Sequence, residues 1–281
     1  MSGTWFTAIQ LVRSRDGQGS PDILLQGWIA PGEGPQKLQS YFRNGPFAQQ
    51  MLIPLELENA TQIHSEAIDP ALLCWMTTLL VPFGGFRAAD VKAGETVVVG
   101  GATGHFGSAA VAVALAMGAR RVIALGRNRA SLDVLVNIFG NRVTGVVLTG
   151  RPNVDERNTK EAGDNRVDCV LDILPPISDP SPVVAAAMSV RAGGRVVLMG
   201  GVDADVYLPY KPIMRNSIRV YGQYMYDSRA PQLLAGLISS GQLPLDPFHV
   251  DRYPLEDIAE AVRHAGDTGG AFHLTVVLPN E

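Results

Sequence analysis

Residues 95–107 read Glu95-Thr-Val-Val-Val-Gly100-Gly101-Ala-Thr-Gly104-His-Phe-Gly107. The first six form a short β-branched apolar run, the pattern of a strand buried on both faces. Residues 108–117, SAAVAVALAM, continue as a compact small-residue helix stopped by Gly118. Spaced glycines are a weak signal alone, but between a strand and a helix they acquire a mechanism. Gly101 permits a tight turn. Gly104 removes a side chain where backbone must approach a pyrophosphate, and Gly107 lets the helix lie close on the sheet. The head of that helix offers free N–H groups and the positive end of its dipole to an anion. Thr103, His105 and Phe106 fall inside the same turn, so they are expected beside the bound phosphates.

Strand and helix patterns alternate on the far side of this turn. Strands are expected at 121–126, 145–148, 167–173, 195–199 and 217–222, with helices at 128–139, 180–191 and 229–240. Asn128 is placed to cap the first of these helices. Such alternation implies right-handed crossovers and an α/β fold, a doubly wound parallel Rossmann sheet, over residues 76–249. The front reads differently. Turn clusters at 15–22, 30–36 and 43–46 separate short strand-like pieces such as 48–52, so a small, mostly β lobe is expected. The tail offers one amphipathic helix, 255–265, and a last strand, 272–278.

Composition narrows the function classes. Lys and Arg number 23 against 27 Asp and Glu, a net charge of −4 with no basic tail, so nucleic acid is not an expected partner. No stretch reads as a membrane span, and the opening residues lack the charged and apolar regions of a secretory signal. A cytoplasmic protein is expected. Two cysteines, Cys74 and Cys169, exclude a disulfide framework and read as small core residues. The five histidines, His64, His105, His249, His264 and His273, show no ligand spacing, so no metal site is expected. No Gly-x-Ser-x-Gly elbow is present.

The end of the second strand selects the dinucleotide. NAD readers place an acid there for the adenosine ribose. Here the chain reads Leu125-Gly126-Arg127-Asn128; Gly126 stands where the acid would, and a guanidinium follows. Arg127 suits a 2′-phosphate, so the expected cofactor is NADP(H). Asp172 and Gly200 end the fourth and fifth strands, facing the crevice by topology; a helix-capping role for Asp172 is equally open.

Four ordered motifs resemble the medium-chain dehydrogenase/reductase superfamily, in its zinc-independent, quinone-reductase-like branch. Gly45-Pro-Phe-Ala-Gln-Gln-Met-Leu-Ile-Pro54 is similar to the family's G-x-F-A-E-Y-x-x-V-P segment. Residues 91–107 resemble its entry into the nucleotide domain, Ala192-Gly-Gly-Arg-Val-Val-Leu-Met-Gly200 its fifth strand, and Tyr253-Pro-Leu-Glu-Asp-Ile-Ala-Glu-Ala-Val262 its return helix. The resemblance implies a GroES-like catalytic lobe, here expected as a truncated one at 1–75 and 250–281. It further implies hydride transfer to a small carbonyl or activated alkene, and a homodimer paired through strand 217–223. Proton-donor candidates are Tyr41, Tyr210, Lys211, Tyr224 and Tyr226. The last two follow the sixth strand, where the family's chain passes the nicotinamide. Thr78, or Thr77 beside it, lies on the helix that lines the nicotinamide pocket in the family. Two other readings stay open at this point: a non-redox enzyme on the same fold (an isomerase, cyclase or condensing enzyme), and a cofactor-binding sensor or inactive partner.

Overall fold

The structure is a computed structural model that describes residues 5–8, 11–13, 23–26, 32–52, 60–63 and 68–279. The front contributes strands β1 (Trp5–Ala8), β2 (Leu11–Arg13), β3 (Ile23–Leu25) and β4 (Ala60–Ile63). β1 pairs with β4 and β2 with β3, both antiparallel. Helix α1 (Glu33–Tyr41) lies between β3 and β4, where the sequence reading expects a turn cluster at 30–36. Gly32 and Pro35 produced that expectation. Gly32 sits at the N-cap with φ +85°, and a proline in the first helical turn forfeits no helix hydrogen bond. Residues 48–52 form no strand. The Gln26 side chain takes up backbone there instead, donating to the carbonyls of Leu52 (2.6 Å) and Asn44 (3.1 Å).

Two helices, α2 (Pro70–Leu73) and α3 (Met76–Ala88), lead into the centre. Residues 70–88 are long and apolar enough to cross a membrane by composition. In the fold this segment is core: Trp75, Met76, Leu79, Leu80 and Phe86 are fully buried. The glycines of α3 let it press on the sheet. A Cβ at Gly85 would stand 2.6 Å from Met199 Sδ and 2.7 Å from Leu171 Cδ1.

The remaining strands are β5 (Thr96–Gly100), β6 (Arg121–Gly126), β7 (Val143–Val147), β8 (Cys169–Asp172), β9 (Arg195–Leu198), β10 (Arg219–Gly222), β11 (His249–Pro254) and β12 (His273–Leu278). β5 to β10 make one six-stranded sheet in the order β10-β9-β8-β5-β6-β7, every pair parallel. This is the doubly wound Rossmann order, with the first strand, β5, beside the fourth, β8. All five residues of β5 are buried, as the β-branched run requires. β11 and β12 pair separately, in parallel. The helices are α4 (His105–Ala116), α5 (Arg129–Phe139), α6 (Pro152–Ala162), α7 (Ser181–Ala187), α8 (Tyr210–Arg215), α9 (Ala230–Ser239) and α10 (Ile258–Thr268). α4 starts three residues earlier than the sequence reading places it, so His105 and Phe106 belong to its first turn.

α6 has no apolar stripe, and the sequence reading contains no helix there. Its buried residues are Asp155 and Thr159. The Asp155 carboxylate accepts from Thr149 N (2.8 Å), Thr149 Oγ1 (2.7 Å) and Gly150 N (3.1 Å). Thr159 Oγ1 donates back to the Asp155 carbonyl at 2.7 Å.

Candidate active site

The carboxyl ends of β5 and β8 adjoin at the point where strand order reverses, with Gly100 in register with Asp172. Ligands of doubly wound sheets bind outside such a point. The chain leaves β5 through Gly101, whose φ of +78° is left-handed. A Cβ there would lie 3.1 Å from the Ile173 carbonyl oxygen. Gly104 N–H donates to Gly101 O (3.1 Å), and Ser108 N–H to Gly104 O (2.9 Å). Gly104 is the N-cap of α4 and supplies no side-chain cap, so the first N–H groups of the helix point outward. The three glycines differ in what they permit. A Cβ at Gly107 would stand 2.0 Å from Gly101 O, whereas one at Gly104 meets only Gly101 O, at 3.5 Å. Gly107 is therefore a packing glycine, and Gly104 leaves an open approach to backbone.

β6 ends beside this turn. A Cβ at Gly126 would meet Thr103 Cγ2 at 2.8 Å, so the acid that NAD readers place here would require the Thr103 side chain to shift. Arg127 is exposed and makes no ion pair among the described residues. Asn128 caps α5 by accepting from Ser131 N (3.3 Å). Arg129 is drawn to Asp133, 3.9 Å away. Of the three polar residues after β6, Arg127 is thus the one free to meet a ligand.

A cleft of about 460 Å³ opens between the turn and the end of the chain. Thr103, Gly104 and His105 form one wall; Thr268, Gly270 and His273 belong to the other. The sequence reading missed this second wall, because the pairing of β12 with β11 brings it there and no spacing records that event. His105 binds the parts together. Its Nε2 lies 2.8 Å from Thr78 Oγ1, and its ring stacks on Trp75 (centroids 4.8 Å apart, planes at 29°). Burial holds its imidazole below the ordinary histidine range, while the backbone at Gly270 and His273 pulls the other way. Phe106, next in the helix, is exposed and edge-on to the His105 ring. Phe272 N–H donates to Ser108 Oγ at 3.2 Å, fixing the start of β12 to α4.

Asp172 is buried at the floor of the crevice. Its carboxylate accepts from Leu174 N at 3.3 Å, and a Cβ at Gly200 would meet its Oδ2 at 2.7 Å. Burial pushes the carboxyl up to about 6, although the Leu174 and Gly200 backbone N–H groups oppose this. The folded chain therefore holds this proton more tightly than the unfolded chain does. The resulting stabilisation is complete below pH 3.8, the free-carboxyl value, and is lost as pH rises through about 6. The displacement corresponds to roughly 3 kcal/mol. Denaturant titrations of the parent and Asp172→Asn should diverge by up to that amount between pH 4 and pH 7. Parallel stability profiles would refute the assignment.

The proton-donor candidates scatter. Tyr226 is buried in the core against α3, where a Cβ at Gly84 would lie 2.6 Å from Tyr226 Cβ. Tyr224 is half exposed on the loop after β10, beside Met225 with a left-handed φ of +56°. Thr78 is buried and already bonded to His105. Thr77 Oγ1 donates to its own helix at Cys74 O (2.9 Å). Tyr41 and Tyr210 are exposed, with Lys211 exposed beside Tyr210. Cys169 is buried, its thiol pushed up to about 12 by desolvation. Burial and, secondarily, the charge of Asp69 also raise the Cys74 thiol. Among the described residues no group of three His, Cys, Asp or Glu could hold a metal ion.

The profile of the zinc-binding dehydrogenase family matches residues 106–240. Sorbitol dehydrogenase from Bombyx mori is 27% identical over 228 residues, 79% of this chain and 60% of that enzyme. The chain thus spans about three fifths of the length of this curated relative. An NADP-bound protein from Sinorhizobium meliloti 1021 superposes with a TM-score of 0.67 at 22% identity, over 84% of this chain and 67% of that one. Acetophenone reductase from Geotrichum candidum in complex with NAD gives 0.58 at 21% identity, over 79% and 59%. These two folds carry different dinucleotides, so likeness alone does not choose between them. Among the described residues Cys74 has no companion ligands for the zinc in the family's description, and His64 lies outside the described residues.

Proposed function

Because the chain belongs to the medium-chain dehydrogenase/reductase superfamily, we propose that it is an NADPH-dependent, zinc-independent reductase or dehydrogenase of a small carbonyl or activated-alkene substrate. The observation that carries this reading is the end of β6. Gly126 carries no acid and is crowded by the Thr103 side chain, and Arg127 stands exposed beside the glycine turn without a partner among the described residues. Bound in the crevice, the nicotinamide supplies or accepts a hydride. The chain's own residues do the rest. Backbone N–H groups at the head of α4 hold the diphosphate, and Arg127 pairs with the 2′-phosphate. Tyr224 is our proton donor, acting on the oxyanion that develops on the substrate. Thr78 and Tyr226 belong to the wall behind the reacting end, with Thr78 held by His105.

Arg127→Ala should weaken NADPH binding by about 10- to 150-fold, the equivalent of one charge-assisted hydrogen bond, and leave NADH binding unchanged. Fluorescence titration with both cofactors measures this, and equal losses would sink the assignment. NADPH oxidation against a panel of enones, quinones and aldehydes tests the redox role. Tight binding without turnover on any of them would favour a sensor or a non-redox enzyme.

We also read the sheet edge as the seam of a homodimer. β10 is an edge strand of the six-stranded sheet, and Arg219 and Val220 on it are exposed. An unpaired apolar edge is a liability that pairing across a twofold axis removes. Light scattering should return twice the chain mass; a monomer would refute the seam. The same reading makes this a cytoplasmic protein that takes small molecules, with neither nucleic acid nor membrane as a partner.

A further inference from the structure

The amino-terminal pole of the sheet, opposite the glycine turn, carries a cavity of about 560 Å³. Lys92, Arg120, Arg166 and Arg191 line it, together with Glu95 and Asp168. The carboxyl ends of helices gather at this pole and favour cations. Those helix ends already have partners. Arg142 donates to the carbonyls of Leu115 (3.1 Å) and Ala119 (2.9 Å) at the end of α4. Arg195 donates to Ala89 and Asp90 beyond α3, both at 3.1 Å. Arg121 donates to Ala162, ending α6, at 3.2 Å.

The carboxylates are taken as well. Glu95 pairs with Arg195 at 2.6 Å, Asp168 with Arg191 at 2.6 Å, and Asp90 with Lys92. Two guanidiniums remain. Arg120 has a single neutral partner, the Thr96 hydroxyl at 3.2 Å. Arg166 has no side-chain partner among the described residues. Both are exposed, and both face one cavity in a chain whose net charge is −4.

We propose that this cavity is a second anion site, for a small phosphorylated metabolite of about diphosphate size. Guanidinium forks match phosphate oxygens two at a time, and these two are left over once every structural partner is counted. The site lies at the opposite end of the strands from the glycine turn, and it does not depend on the redox reading.

Calorimetry of the full chain with inorganic pyrophosphate tests this, at low salt and with NADPH saturating. One site should titrate despite the NADPH, and its affinity should fall with added salt. An Arg120→Ala/Arg166→Ala double variant should bind at least tenfold more weakly, with an unchanged melting curve. Arg166→Glu, which leaves the Arg120–Thr96 bond in place, reads the same loss should the double variant not fold. No titration, complete competition by NADPH, or equal affinity in the variants would each overturn the proposal.

Discussion

Gly107→Ala should destabilise the fold and weaken NADPH binding, whereas Gly104→Ala should weaken binding alone. The added Cβ at 107 would sit 2.0 Å from Gly101 O and 2.7 Å from Ala102 Cα. Both are backbone atoms, so no rotamer relieves the contact and α4 must lift off the turn. Such overpacking costs about 1–3 kcal/mol, and each kcal/mol moves the melting point of a domain this large by roughly 2–4 °C. At 104 the added methyl meets only Gly101 O at 3.5 Å, with φ at −87°. The chain accepts it, but it stands where the diphosphate must come against backbone. Losing one or two charge-assisted hydrogen bonds there weakens NADPH by at least tenfold. Melting curves and fluorescence titration together read both effects. A Gly104→Ala protein that binds NADPH like the parent would move the dinucleotide elsewhere.

Arg195→Ala should lower stability by about 1.5–3 kcal/mol, because it leaves the half-buried Glu95 carboxylate with only the Lys92 N–H as partner. Arg195 and Glu95 expose only 10% and 15% of their side chains. The guanidinium also closes the end of α3 through the carbonyls of Ala89 and Asp90. Its removal strands both the charge and the helix end. Arg195→Met/Glu95→Gln should recover part of the loss, since the unpaired charge is gone while the helix end stays open. Denaturant titration measures each, and a loss under about 1 kcal/mol for Arg195→Ala would show that the pair is solvated.

The β5–turn–α4 unit was legible because its chemistry is local. Strand period, glycine spacing and the Asn128 cap each act within a few residues of themselves. What escaped was set by partners far along the chain. α6 buries Asp155 and Thr159 rather than apolar groups, so its period carries no hydrophobic signal. Gly32 and Pro35 are turn residues by type, and only their place in the first turn of α1 makes them helical. The second wall of the cleft and the Tyr226 contact with Gly84 arise between segments more than a hundred residues apart. Pattern reading has no access to packing of that kind.

The cleft between residues 103–105 and 268–275 has a consequence for biosynthesis. His105, Ser108 and Trp75 wait for Phe272, His273 and His249, which leave the ribosome more than 140 residues later. The parallel sheet from β5 to β10 can assemble on the nascent chain while the pocket still lacks a side. A small molecule stabilises only the state that binds it. A ligand seated between the two walls therefore offers no help to the growing polypeptide, and it protects from unfolding and proteolysis only those chains that have been finished through β12.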